Sequence, residues 1–415
     1  MRRVAITGMG VISPVGNSVI DFQNSILEGI CGIDYISYFN TDDFKVKIAA
    51  EVKNFNVTDY MEKNEARRMD LFTQYALAAA KEAVEQSGFL GNVEPERCGV
   101  YVGSGIGGMD TFISTTEKLL TGGPRKVSPL FIPMMISNMA SGNIAIQYQA
   151  KGPCLPVVTA CATSSHAIGE AYRAIKFGFA DVIIAGGAEA SINGLAVAGF
   201  TNSTALSTRN DPADSSIPFD ARRDGFVIGE GSGIVILEDY EAAKKRGAKI
   251  LAEIVGYGNT CDAYHITAPH PEAEGAANAI RLALKESGYN DNMKLYYNAH
   301  GTSTPLNDKG ETIALKKVLG EDKARQVHIS STKSMTGHML GAAGAVEVIA
   351  CTIALNTGEI PPTIGYKEAD PDCDLNYTPN VKVKAEVDIA LSASLGFGGH
   401  NAAIALKKGD GIDKG

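Results

Sequence analysis

A chain of 415 residues with 45% hydrophobic and 20% charged residues is globular in composition, which excludes disorder as the governing state. Its formal net charge of −9 excludes the broad basic field that nucleic acid or an anionic membrane surface requires. Seven cysteines, odd in number and with no CxxC pair, argue against a disulfide framework or zinc site and fit a reducing, cytoplasmic setting.

The β-branched run at 4–7 reads as a buried strand and is too short for a signal-peptide core. The Ala-rich segment 68–87 reads as a helix, with Gly88 as its stop. Further strands are expected at 99–102, 157–159, 181–185, 233–237, 250–255 and 295–298, with a helix at 345–354. Strands that alternate with helices predict an α/β fold with buried sheets. No stretch reaches the roughly 20 apolar residues of a membrane span. The polar, Gly-rich tail 407–415 is expected to fray.

The chain also repeats itself. Ala76, Ala79, Ala83, Ser87 and Gly88 recur as Ala276, Ala279, Ala283, Ser287 and Gly288. Each copy of this helix lies between two expected strands. Two related halves, 1–250 and 251–412, account for the pattern.

Four segments carry chemistry. Val157-Val158-Thr159-Ala160-Cys161-Ala162-Thr163 reads as strand, turn and helix start, with small residues around one thiol. A helix start favours thiolate and predicts a lowered pKa for Cys161. The residues alone leave open a nucleophile or a buried structural cysteine. In Asn298-Ala299-His300-Gly301-Thr302-Ser303-Thr304 a strand ends and presents a histidine. Lys333-Ser334-Met335-Thr336-Gly337-His338 leads into a Gly/Ala-rich helix. Leu395-Gly396-Phe397-Gly398-Gly399-His400 is a Gly-rich loop after a strand, able to aim a backbone N–H at an oxyanion. A phosphate cradle is the rival for that loop, but no GxxxxGK[ST] motif is present.

Together, in this order and spacing, these motifs resemble the condensing enzymes of the thiolase-like superfamily, and most of all the elongating β-ketoacyl-[acyl-carrier-protein] synthases. The resemblance runs from Val4 to the Gly-rich loop. It implies a five-layered αβαβα fold of two duplicated halves and a homodimer. It assigns Cys161 as the acyl-accepting nucleophile, His300 and His338 as the two catalytic histidines, and Lys333 and Glu347 as a lysine–carboxylate pair beside them. It places Thr302 and Thr304 on the phosphopantetheine arm, and Phe397 as a gate whose N–H joins that of Cys161 in an oxyanion hole. Ile106, Phe200 and Phe131 match acyl-pocket positions, the last reaching a neighbouring subunit. The family often has Asn-Ser-Phe where this chain has Ala393-Ser394-Leu395, which bears on chain length. A thiolase would carry a second cysteine in the loop, where this chain has none. A starter-type synthase would have Asn in place of His338. A chain-length factor would lack the nucleophile. A polyketide or specialised-lipid ketosynthase shares every catalytic residue and remains the alternative.

The resemblance implies no metal and no cofactor, with substrates carried on the pantetheine arm of acyl carrier protein. That partner is acidic, so docking needs local cations, and Lys63, Arg67, Arg68, Arg125, Lys126 and Arg209 are the candidates.

Overall fold

The computed structural model describes residues 1–409. Nine strands, β1 (Val4–Ile12), β2 (Cys98–Gly103), β3 (Val182–Glu189), β4 (Gly231–Asp239), β5 (Ala252–Cys261), β6 (Leu295–Asn298), β7 (His328–Ser330), β8 (Ile389–Gly396) and β9 (His400–Lys408), form one mixed sheet. Its order is β2-β3-β4-β1-β5-β9-β8-β6-β7. The centre is a short antiparallel seam between β1 and β5, where Val4, Ala5 and Ile6 face Ile254, Glu253 and Ala252. Outward from that seam both sides repeat one pattern. An antiparallel neighbour comes first, then a second antiparallel pair, then a parallel one.

Helices complete the layers: α1 (Leu71–Ser87), α2 (Thr163–Lys176), α3 (Glu274–Ser287) and α4 (Ala343–Thr357). α1 packs on β1 and β4, and α3 on β5 and β9. α2 and α4 touch each other and strands from both sides of the seam, so they form the middle layer. The result is a five-layered αβαβα sandwich. α4 is buried on every face from Ala343 to Leu355, as a helix apolar all round must be. The stretch Leu340–Thr357 has the length and hydropathy of a membrane-crossing helix, yet 89% of it is buried inside the protein.

The repeat seen in sequence has a steric cause. A Cβ at Gly8 or Gly10 on β1 would stand 2.1 or 1.9 Å from the carbonyl oxygens of Ala83 and Ala79. A Cβ at Gly256 or Gly258 on β5 would stand 2.1 or 1.9 Å from those of Ala283 and Ala279. Each outer helix thus presses backbone to backbone on its central strand, and only Gly on the strand permits it.

Three expectations are corrected. Residues 157–159 belong to no strand; the bridge to β2 is made earlier, from Cys154 to Val100. The helix expected from 68 begins at Leu71, because the backbone of Asp70 is extended at ψ 160°; its carboxylate accepts the N–H and hydroxyl of Thr111. Lys407 and Lys408 do not fray but pair with Glu253 and Ala252. The rest of that expected tail, from 410 on, lies outside the described residues.

The close approach makes a prediction. Gly258→Ala lowers the unfolding free energy by about 1–3 kcal/mol through overpacking. Gly310→Ala, in a helix with open space around it, leaves stability unchanged or raises it by up to about 1 kcal/mol. Denaturant titration of both variants tests this, and equal midpoints would contradict it.

Candidate active site

Cys161 is the middle residue of a single 3₁₀ turn, Ala160–Ala162, that runs directly into α2. Ala160 sits in the left-handed region at φ 50°, a conformation that costs a residue with Cβ about 1–2 kcal/mol. Neighbouring bonds hold it there. Ala162 N–H donates to the Thr159 carbonyl at 3.1 Å, and Thr159 N–H donates to Thr163 Oγ1 at 2.8 Å. Thr159 Oγ1 also lies 2.8 Å from Nδ1 of His166 on α2. The elbow turns Cys161 into a cavity of about 630 Å³.

The loop leaving β8 closes on this elbow. A Cβ at Gly396 would lie 2.7 Å from the Thr159 carbonyl oxygen and 3.3 Å from the Cys161 nitrogen, so glycine is required there. The backbone N–H groups of Phe397 and of Cys161 itself both favour negative charge on the Cys161 sulfur. Burial pushes the thiol up to about 12, against the pull of Lys333 and of these two N–H groups, while Glu189 adds to the rise. The expected depression of the thiol pKa is therefore overturned. Enclosure by distant segments outweighs the helix start.

His300 follows β6 in a turn fixed by one carboxylate. Glu311 accepts the N–H of His300 at 2.7 Å, that of Gly301 at 2.6 Å and the hydroxyl of Tyr297 at 2.8 Å. His338 donates its backbone N–H to Val227 at 2.7 Å and accepts that of Gly229 at 2.8 Å. Its ring meets Phe226 edge to face at 5.2 Å and His300 at 5.3 Å. One donor atom each from Cys161, His300 and His338 falls within 4.8 Å of the others. By donor chemistry alone this set could also ligate a soft metal ion such as zinc.

Both rings are buried, 3% and 2% exposed. Burial first, and then the charge of Lys333, hold both imidazoles well below the ordinary histidine range. They are neutral, and each carries one N–H donor. Lys333 Nζ donates to the His300 carbonyl at 2.6 Å and forms an ion pair with Glu347 on α4. Burial raises the Glu347 carboxyl and Lys333 draws it back.

Ile106, Phe200, Thr302, Thr304, Leu395 and Phe397 line the same cavity. The hydroxyls of Thr302 and Thr304 lie 2.8 Å apart. Phe131 does not line it; its ring stands 6.4 Å from that of Phe112, and Leu120, Ile132 and Ile146 in the same stretch of chain are each exposed. Lys63, Arg67, Arg68, Arg125 and Lys126 are exposed and form no ion pair among the described residues. Arg209 differs, because Asp214 holds it at 2.8 Å in a cluster with Arg222 and Lys367. Sequence reading missed Glu311 and gave Phe226 no role in the site. The only local signal for Glu311 is an acid on the inner face of the helix Pro305–Leu319.

Comparison with known proteins agrees with this geometry. Residues 1–243 match the beta-ketoacyl synthase N-terminal domain, and residues 251–367 the C-terminal domain. The chain is 49% identical over 408 residues to 3-oxoacyl-[acyl-carrier-protein] synthase 2 of Staphylococcus aureus, covering 98% of both chains. It is 49% identical over 409 residues to the enzyme of that name from Synechocystis, again covering 98% of both. Among solved structures it is similar to a beta-ketoacyl synthase from Burkholderia phymatum, with TM-score 0.91, 34% identity and coverage of 99% of this chain and 100% of that one. The ishigamide ketosynthase/chain length factor gives TM-score 0.91 and 36% identity, with coverage of 99% and 100%. By sequence, fold and site geometry, the chain belongs to the beta-ketoacyl synthase family.

Proposed function

We propose that this protein is an elongating 3-oxoacyl-[acyl-carrier-protein] synthase, an acyltransferase of fatty-acid synthesis. The observation that carries the reading is the meeting of Cys161, His300 and His338 within 4.8 Å, beside two backbone N–H donors. The Cys161 sulfur attacks the acyl thioester carbonyl. The oxyanion rests on the N–H groups of Cys161 and Phe397, and loss of one such donor typically costs about 2.7–4 kcal/mol. The proton of Cys161 passes to the departing pantetheine thiol, with a neutral imidazole as relay. The carrier leaves and an acyl-enzyme remains.

Malonyl thioester then enters past Thr302 and Thr304. Its C–C bond to the carboxylate breaks, and CO₂ departs. The electron pair moves into an enolate whose oxygen takes N–H bonds from His300 and His338. The enolate carbon attacks the acyl-Cys161 carbonyl, and the sulfur leaves. Neutral imidazoles suit this task because each offers an N–H directly, so no metal or other cofactor is called for. Lys333 and Glu347 position the histidines.

Acyl carrier protein supplies both substrates in this reading. Lys63, Arg67, Arg68, Arg125 and Lys126 offer it exposed cations, whereas Arg209 is held by Asp214. A second copy of the chain covers the apolar face around Phe131, completing the acyl pocket. The division near residue 250 puts Cys161 in one half and both histidines in the other. Seven free cysteines suit a cytoplasmic enzyme. A polyketide ketosynthase is the second reading, favoured by the 36% identity to the ishigamide ketosynthase/chain length factor. Profiling acyl length and counting extensions per chain separates the two.

Intact-mass measurement tests the chemistry. With acyl-carrier protein the enzyme gains one acyl group, and Cys161→Ala gains none. His300→Ala and His338→Ala still load acyl groups but lose about 10²–10⁴-fold in malonyl decarboxylation. Loading on the Cys161→Ala variant would refute the assignment. For docking, charge reversal at Arg67 and Arg68 raises KM for acyl-carrier protein about tenfold and leaves KM for acyl-pantetheine unchanged. Equal KM values for the carrier in variant and wild type would remove those residues from the interface.

A further inference from the structure

The fold contains two elbows. Ala160–Ala162 runs into α2, and Leu340–Ala342 runs into α4. Ala160 has φ 50° and Leu340 φ 45°, so the same left-handed residue opens both turns. Cys161 and Gly341 therefore hold matching places. Opposite the first elbow is the end of β8, and opposite the second is the end of β3. Both strands have eight residues and stand third from the seam, so Gly396 and Glu189 also match.

At the first elbow the N–H of Cys161 serves the oxyanion. At the second, the N–H of Gly341 is taken by the Glu189 carboxylate at 3.0 Å. The same oxygen accepts Gly105 N–H at 2.8 Å. The other oxygen accepts Ser104 Oγ at 2.8 Å and Ile106 N–H at 3.2 Å. A Cβ on Gly105 or Gly341 would come within 2.8 Å of that first oxygen, so the nest is shaped by glycine. Glu189 is wholly buried and has no cationic partner among the described residues. Gly341 and Gly105 N–H both donate to one oxygen, and Ile106 N–H donates to the other beside the hydroxyls of Ser104 and Ser191, so the carboxyl is surrounded by donors. Burial raises its pKa, and the hydrogen bonds from Ser104, Gly341, Gly105 and Ile106 pull against that rise without cancelling it.

We propose that Glu189 is a positioning residue whose carboxylate fills the symmetric counterpart of the oxyanion site and locks the acyl-pocket wall at Ile106 to the segment from His338 to Gly341. This rests on the condensing-enzyme reading above. Ile106 faces the cavity, and Gly341 lies three residues after His338. An acyl chain that displaces Ile106 pulls on the carboxylate that also holds Gly341. Chain entry and placement of His338 are thereby linked.

Glu189→Ala leaves a nest of three N–H donors open to the cavity, and formate is the probe. The variant loses about tenfold to a hundredfold in condensation, more with long acyl groups than with short ones, because buried donors are left unpaired. Sodium formate restores rate and raises the melting temperature of the variant, while sodium chloride at equal ionic strength does neither. Wild type responds to neither salt. Wild-type condensation in Glu189→Ala, or an impaired variant that formate neither activates nor stabilises, overturns the proposal. Should Glu189→Ala not fold, Glu189→Gln decides. Its amide must point N–H groups at N–H donors, so long-chain acyl transfer falls relative to short-chain transfer, and an unchanged ratio overturns the proposal. Wild type that never acylates Cys161 refutes the condensing reading instead, and the formate-dependent melting shift still reports on the nest.

Discussion

Lys333 places one ammonium group between the carbonyl oxygen of His300 and the carboxylate of Glu347, with all three enclosed. The ammonium ties the turn that presents His300 to the central helix α4 and to the short helix that precedes His338. Removing one member of such a buried pair leaves an uncompensated charge, at a cost of about 3–5 kcal/mol. Its field also sets the chemistry. The same positive charge lowers the pKa of both imidazoles and that of the Cys161 thiol. One fixed cation thus favours neutral N–H donors at the histidines while easing release of the proton from sulfur.

Backbone contact, more than side-chain packing, brings these groups together. The seam of β1 and β5 joins two copies of one strand-and-helix pattern, and α2 and α4 meet between them. Each elbow then faces the strand end supplied by the other half. Gly396 lets the β8 loop reach the Cys161 turn, and Gly105 and Gly341 let Glu189 enter its counterpart. The duplicated geometry makes two anion-sized nests. A protein carboxylate fills one, and the other opens beside Cys161 where the proposed oxyanion would sit.

Much of this was legible in the sequence because it is written in local pattern. Ala79 and Ala83, repeated at Ala279 and Ala283, mark where helices press on glycines of the central strands. Small residues around Cys161, the strand-end His300 and the Gly/Ala run after His338 mark the three side chains that meet within 4.8 Å. What was not legible depends on partners far away in the chain. The rise of the Cys161 thiol comes first from burial and then from the charge of Glu189, against Lys333 and the Phe397 N–H, and no local window contains these partners. Residues 157–159 have the β-branched look of a strand, but whether a run pairs is decided by its neighbours. Glu311 and Glu189 look like ordinary acids until burial gives them backbone N–H partners. Arg209 looks like a free surface cation until Asp214 closes on it.

The central claim is that His300 and His338 work as neutral donors beside a buried cation. Nitrogen-15 NMR of histidine-labelled protein, with His300→Ala and His338→Ala for assignment, measures their charge directly. Their lowered pKa means that neither ring gains a proton as pH falls through the ordinary histidine value of about 6.5. Each should keep one protonated and one bare ring nitrogen from about pH 8 to about pH 6, on both sides of the ordinary range. Because the unfolded chain does take up those protons, stability should decline as pH drops below that value. Two rings titrating together near 6.5, with no loss of stability, would contradict the account.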